Sequence, residues 1–209
     1  MEHKKLIQWN QSAGGLYFPE ELDFFQKQSL REKSDMADGH LSIVQMPADD
    51  DGAPIREKAE VLDAGDNLIV TVGRASLASL HRTTAAGLTT IGVFDLGLLA
   101  VGSGSGGGAG HTPDPADVGL QTESTDPVGG PVVSGVPRPT LSVSTPPPGP
   151  PFLTNLWTAQ IGTTQLNGVA IDEAGLFCLD DSTLFSYRSF TAQTKASGFV
   201  MEFRWSVLM

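Results

Sequence analysis

This sequence has little of what disulfide-stapled or membrane-spanning proteins depend on. Its 209 residues include a single cysteine, Cys178, so an internal disulfide is impossible and a stapled secreted framework is excluded. No apolar run reaches the about 18 residues that a membrane helix needs, and the first residues lack a signal-peptide pattern. We therefore expect synthesis in the cytoplasm.

Positive charge is also scarce. The chain has 13 Lys and Arg against 24 Asp and Glu, which gives a formal net charge of −11. Phosphate backbones and anionic lipid surfaces repel a chain of this sign. We predict that neither nucleic acid nor a membrane is a partner.

Glycine and proline, in contrast, are plentiful and unevenly placed. Of the 24 Gly and 14 Pro, 11 of each lie between residues 102 and 151. Such a stretch cannot bury enough apolar area to offset its ordering entropy, so it is predicted to be a loop that is either mobile or held by its neighbours. We predict an N-terminal arm or assembly segment over 1–60 and a β-sandwich domain over 61–209, with this insertion at about 102–151.

The clearest secondary-structure signal is the last segment of the chain. Its apolar residues fall on one face at period two, namely Phe199, Met201, Phe203, Trp205 and Val207. Glu202, Arg204 and Ser206 point the other way. This alternation is typical of a half-buried strand.

Further strands are predicted along both halves of the chain. A strand over 41–46, with residues 49–52 as the turn after it, lies in the predicted arm. Residues 67–72 are predicted to be a strand or the apolar start of a helix. A short helix near 75–81 and a nearly apolar strand over 89–101 follow. Later strands are predicted at about 140–145, 152–162, 168–172, 175–179, 183–190 and 198–208. Turns are expected at 167–168, at Asp172 and Glu173, and at 180–182. The predicted fold class is mainly β, an antiparallel sandwich with one short helix.

Residue patterns that could carry chemistry fail on their context. Gly102, Gly104 and Gly107 fit G-x-G-x-x-G, but no helix pattern follows and no phosphate loop is completed. The four histidines have no paired spacing, so a metal site has little support. Cys178 lies in an apolar strand that would bury its thiol and raise the thiol pKa. We predict no catalytic residue, cofactor or metal.

Three segments near the C-terminus carry a resemblance. Glu173-Ala-Gly-Leu-Phe177 is followed by a segment with Leu184, Arg188 and Phe190, then by Lys195, and last by Trp205-Ser-Val207. These segments resemble, in order, the C-terminal half of a family of structural proteins from tailed bacteriophages. Upstream, residues 67–74 and the Pro-rich residues 113–120 are similar to segments of the same family, so the resemblance covers about residues 65–209.

The resemblance implies a structural role for the residues that carry it. The expected framework residues are Glu173, Gly175, Phe177, Arg188, Phe190 and Trp205. Gly175 would let the strand bend, Arg188 would pair with a carboxylate such as Glu173 on a neighbouring strand, and Trp205 would anchor the sheet.

The expected function is that of a virion component in the neck, collar or tail, acting without catalysis. Its partners would be copies of itself and other virion proteins. The alternative is a sandwich module of a tail fibre or baseplate that binds a host glycan or receptor. Trp157 and Tyr187 would then face the ligand, although Trp157 alternates with apolar neighbours and core placement is favoured.

Overall fold

The structure is a computed structural model, and it describes residues 7–8, 16–17, 38–80, 96–103, 111–124, 132–133, 136–137, 142–144, 154–178 and 183–208. In chain order the strands are β1 (Ile7–Gln8), β2 (Leu16–Tyr17), β3 (Asp38–Pro47), β4 (Glu60–Ile69), β5 (Leu96–Gly102), β6 (Val132–Val133), β7 (Val136–Pro137), β8 (Ser142–Ser144), β9 (Thr154–Ile161), β10 (Ala170–Cys178), β11 (Leu184–Thr194) and β12 (Phe199–Leu208). A 3-10 turn, Arg56–Lys58, precedes β4, and the helix α1 (Thr71–Leu80) follows it.

Most of the described strands belong to one antiparallel sheet. Its order is β5-β10-β11-β4-β3-β12-β9-β8. The short pairs β1 with β2 and β6 with β7 form separate two-stranded sheets. The prediction of a mainly antiparallel β fold with one short helix is confirmed.

The apolar core lies on one face of this sheet. A single buried cluster includes Leu99 of β5 near one end of the sheet, Phe203 of β12 in its middle and Trp157 of β9 near the other end. Side chains of one sheet face become fully buried only when another layer covers them or when the sheet curves over them. We infer that the sheet curls around this cluster.

The opposite face carries a second, smaller apolar cluster. It comprises Val70, Leu98, Ala100, Phe177, Leu184 and Tyr187. Helix α1 packs against β11 beside it, and a side chain at Gly73 would collide with the backbone of Phe185. The missing side chain at Gly73 therefore permits the close approach of helix and strand.

The structure corrects the predicted boundary at residue 60. Strand β3 pairs with β4 on one side and with β12 on the other, so it lies well inside the sheet. Leu41 and Ile43 of β3 are fully buried in the main core. The strand predicted over 41–46 exists, but it belongs to the sheet because both of its edges are paired. Of the residues before 38, the structure describes only β1 and β2, and their role as an arm stays a prediction.

Two neighbouring strand predictions merge into one. Residues 168–172 and 175–179 were expected as separate strands with a turn at Asp172 and Glu173. The structure has one strand, β10, with a bulge between Ile171 and Glu173. The turn prediction was wrong because both carboxylates are buried, as described below for Glu173.

The strand predicted over 67–72 is the end of β4, which begins at Glu60 and ends at Ile69, and helix α1 begins at Thr71 instead of near 75. Two predicted turns agree with the structure. The turn at Asn167 and Gly168 is confirmed, with Gly168 in the left-handed region at φ 75°. The turn after β3 is also confirmed, since the Asp49 carboxylate accepts hydrogen bonds from the amides of Asp51 and Ala53. Residues 89–95 and 180–182, where a strand and a turn were predicted, lie outside the described residues.

Candidate functional site

An irregular segment crosses the outer face of the sheet, opposite the main core. We call residues 111–124 the strap. Its Pro115 carbonyl accepts a hydrogen bond of 2.8 Å from the Thr71 amide at the start of α1. Its far end pairs with the edge strand β5, where the Ser103 amide donates to Thr122 O at 3.1 Å and the Ser124 amide donates to Val101 O at 2.9 Å. The strap therefore covers part of the β5 edge.

A buried carboxylate fastens the strap to the sheet. Glu173 of β10 is 0% exposed. Its carboxylate accepts hydrogen bonds from the backbone amides of Gln121 at 3.0 Å and Thr122 at 2.8 Å. The Tyr187 hydroxyl donates to the same carboxylate at 2.6 Å. Three donors on a buried carboxylate are the arrangement that keeps such a group stable away from water.

Register explains why these groups meet. Glu173 is opposite Gly102 of β5, and Gly175 is opposite Tyr187 of β11, so all four positions share the outer face. A Cβ on Gly102 would lie 2.5 Å from Glu173 Oε1, and one on Gly175 would lie 3.0 Å from the Leu120 side chain. The two glycines leave the space in which the strap lies.

A histidine and an aspartate complete this junction. His111 stacks on the Tyr187 ring at a centroid distance of 5.8 Å, and its Nε2 lies 2.8 Å from an Asp117 carboxylate oxygen. Burial, and next the hydrogen bond and charge of Glu173, raise the pKa of Tyr187 well above its usual 10.0. Tyr187 is therefore a protonated donor throughout the neutral range.

The residues of this junction attach the strap to the sheet. A His–Asp pair beside a Tyr–Glu pair contains residue types used in acid–base catalysis. However, Tyr187 and Glu173 are fully buried, and the strap's own amides occupy the carboxylate. The geometry supports attachment of the strap to the sheet.

A second ion pair lies on the core face, and it corrects the predicted partner of Arg188. Arg188 is opposite Ala174, so it shares the core face and points away from Glu173. Its guanidinium pairs with Asp63 of β4 and donates to Leu41 O at 2.7 Å. Burial lowers the pKa of Arg188, and the carboxylate of Asp63 opposes this effect. The predicted pair with Glu173 was wrong because adjacent strand positions face opposite sides.

The polar face of β12 is buried as well, which corrects the prediction of a half-buried strand. Glu202 and Arg204 form an ion pair at 2.8 Å, and both side chains are buried. Arg56 of the 3-10 turn and Gln160 of β9 also bind the Glu202 carboxylate, at 3.2 and 2.6 Å. Burial by itself would raise the pKa of Glu202, but Arg204, Gln160 and Arg56 outweigh it, and the pKa lies below its usual value.

The remaining expected framework residues lie in the strands that form the two apolar clusters. Phe177 of β10 belongs to the outer cluster, and Trp205 of β12 belongs to the main core. Phe190 of β11 is partly buried against that core. Trp205 is directly opposite Leu41 of β3 on one side and Trp157 of β9 on the other.

The two residues proposed to face a ligand are both inside the protein. Trp157 is 5% exposed and packs in the main core, as its alternation with apolar neighbours favoured. Tyr187 is 0% exposed and bonded to Glu173. Neither ring is available to stack on a glycan, and Cys178 is likewise buried.

Sequence reasoning missed most of the polar contacts that hold the sheet together. Asp63 and Arg56 were not singled out, and His111 and Asp117 were not expected to pair, because each partner is distant in the chain or lies in an irregular segment. Within the described ranges, no cluster of His, Cys, Asp or Glu side chains is arranged to hold a metal ion. In the same part of the chain no helix is long and apolar enough to cross a membrane.

Comparison with models of known protein families, with curated proteins and with solved structures finds no match to this chain.

Proposed function

We propose that this chain is a structural component of a tailed-phage virion, placed in the neck, collar or tail, and that it acts through subunit interfaces without catalysis. The observation that carries the proposal is the strap. A fully buried carboxylate, two backbone amides and a buried phenol serve to hold an irregular segment against the sheet. A fully satisfied buried polar network makes a structure rigid, so the strap is held in one position, in which a neighbouring subunit could contact it.

The segments with a phage-like pattern supply this junction. Glu173 and Gly175 of the Glu-Ala-Gly-Leu-Phe segment form its floor on β10. Tyr187, beside Arg188 in the second segment, donates the phenol hydrogen bond from β11. Leu120, at the end of the Pro-rich segment, packs against the outer cluster. The resemblance and the junction thus involve the same residues, and this overlap supports the proposal.

The net negative charge of the chain limits which protein surfaces can bind it. With a net charge of −11, close packing of copies at one interface needs charged groups to be paired or turned outward. The ion pairs of Arg188 and Glu202 show basic side chains already used inside the subunit. We propose that the partners are copies of this chain and virion proteins with basic or apolar contact surfaces.

Two experiments test the proposal at different levels. Native mass spectrometry of the purified chain over a range of concentrations should show a closed homo-oligomer of defined copy number. Immunogold electron microscopy with antibodies against the chain should label purified phage particles at the neck or tail. A chain that stays monomeric and is absent from purified particles would contradict the proposal.

A glycan array separates the proposal from the receptor-binding alternative. We expect no glycan signal from the wild-type chain, because Trp157 and Tyr187 are buried. A specific signal that persists in Trp157→Ala would place a ligand site elsewhere on the surface. A glycan signal that Trp157→Ala abolishes, while the variant stays folded, would support the alternative.

A further inference from the structure

Lys195 has an environment unlike that of an ordinary lysine. It follows β11 and is 0% exposed. Its Nζ contacts three oxygens, namely Thr163 O at 3.3 Å, Phe199 O at 3.1 Å and Oδ1 of Asn167. None of these groups carries a charge, so the amine has no counter-ion among the described residues. A buried lysine without a carboxylate partner is uncommon in folded proteins.

This environment makes the Lys195 amine easier to deprotonate than an exposed lysine. Burial lowers the pKa of Lys195 because it disfavours the charged form. A neutral amine has two N–H groups and one lone pair. In the structure Nζ donates to all three oxygens. Loss of one proton leaves two N–H donors for the carbonyls of Thr163 and Phe199 and frees a lone pair beside the Asn167 carboxamide.

The carboxamide of Asn167 is held in place on its own side. Asn167 and Lys195 form a backbone bridge, and the Gly168 amide donates to Lys195 O at 3.0 Å. Asn167 Nδ2 donates to Thr163 O at 2.9 Å. An amine and a carboxamide are therefore fixed in contact by the fold. Holding two reacting groups in contact raises their effective concentration.

We propose that Lys195 and Asn167 are the site of an intramolecular isopeptide bond. Nζ attacks Cγ of Asn167, the Cγ–Nδ2 bond breaks, and Nδ2 leaves as ammonia with the proton that Nζ gives up. One amine and one carboxamide become one amide and one ammonia, so no oxidant or reductant takes part. Asn167 is exposed, which gives water access to the leaving nitrogen for the proton transfer and lets ammonia escape.

The bond has a clear structural consequence. It joins the connection between β9 and β10 to the turn between β11 and β12, and it closes a covalent loop around β10 and β11. These strands carry the Glu173 junction. A chain with one cysteine would thereby gain a covalent staple that no reductant breaks.

Mass spectrometry of the full chain tests the proposal. Intact mass is measured under denaturing conditions, first on fresh protein and then after incubation of the folded protein at alkaline pH. We expect a deficit of about 17 Da, the mass of ammonia, in a fraction of molecules that grows with incubation. Peptide mapping should yield a branched peptide that joins the regions of Asn167 and Lys195. Asn167→Ala and Lys195→Arg should abolish both signals, and Lys58→Arg, at an exposed lysine, should leave them unchanged.

Three results would overturn the proposal. The first is an incubated protein that keeps the full mass calculated from its sequence. An amine-reactive label applied in denaturant could modify Lys195 in every wild-type molecule. The deficit could also belong to a succinimide at Asn167-Gly168, which has the same mass, yields no branched peptide and is cleaved by hydroxylamine. The labelling uses the wild-type chain, so its outcome does not depend on whether a variant folds.

Discussion

The substitution Glu173→Gln removes the charge of the strap junction while keeping the shape of the side chain. Glutamine has one acceptor oxygen where glutamate has two. If that oxygen accepts from Tyr187 and Gln121, the new NH2 group lies against the amide of Thr122. If it accepts from Thr122, the NH2 group lies against the amide of Gln121. In either orientation, one strap amide that faces the buried side chain loses its acceptor and meets a donor.

The size of the effect follows from these contacts. An unsatisfied buried donor costs about 1–3 kcal/mol, and the remaining hydrogen bonds lose the charge that strengthens them. We expect the free energy of unfolding to fall by about 2–4 kcal/mol. Since a domain's whole stability is roughly 5–15 kcal/mol, the loss should be easy to measure.

Urea unfolding followed by tryptophan fluorescence measures this loss. Glu60→Gln is the matched control, because it removes one exposed carboxylate from β4 and should change stability by less than about 0.5 kcal/mol. Hydrogen exchange provides a local reading, in which the amides of Gln121 and Thr122 should lose protection first. Tyr187→Phe combined with Glu173→Gln should cost less than the sum of the two single changes. A Glu173→Gln variant as stable as the control, with an unchanged strap, would refute the reasoning.

Other predictions follow from single positions. Gly102→Ala should cost about 1–3 kcal/mol in urea unfolding, because its Cβ meets Glu173 and the strap backbone, whereas Gly119→Ala points into open space and should be nearly neutral. Folding lowers the pKa of Glu202, so the ionised Glu202 stabilises the fold above the usual pKa of 4.5, and this stabilisation is lost as pH falls below that value. Glu202→Gln should therefore make stability less dependent on pH in the acid range. The same substitution should lower the free energy of unfolding by about 3–5 kcal/mol at neutral pH. The pKa of Tyr187 is raised by folding, so stability should fall as pH rises above 10.0, and ultraviolet absorbance should show this phenol ionising only on unfolding. Amides of Asp38–Pro47 should exchange as slowly as those of the core strands, and fast exchange there would restore the boundary at residue 60.

Strand positions were the part of the fold that the sequence predicted best. The terminal strand lies at 199–208 as expected, and Met201, Phe203 and Trp205 share the core face. Period two is a local property of an extended backbone, so it can be read without knowing which strand lies beside it. The burial of Trp157 was favoured by the same alternation.

The candidate site was predicted only in part. Glu173 and Arg188 were named as framework residues, yet their partners are Tyr187 with the strap and Asp63 with Leu41 O. Those partners depend on register, and a shift of one residue would exchange the two faces. Lys195 was named only as part of the phage-like pattern, and its contact with Asn167 depends on the bridge between the β9–β10 connection and the end of β11.

The sequence by itself determined that the chain is mainly β, acidic, without a disulfide, and ended by a core strand. These properties follow from composition and local periodicity. The tertiary structure decided that β3 lies inside the sheet, that the polar face of β12 is buried around Glu202, and that the strap is fastened by Glu173. Each of these depends on pairing between residues far apart in the chain, which hydrogen-bond register determines and composition does not record.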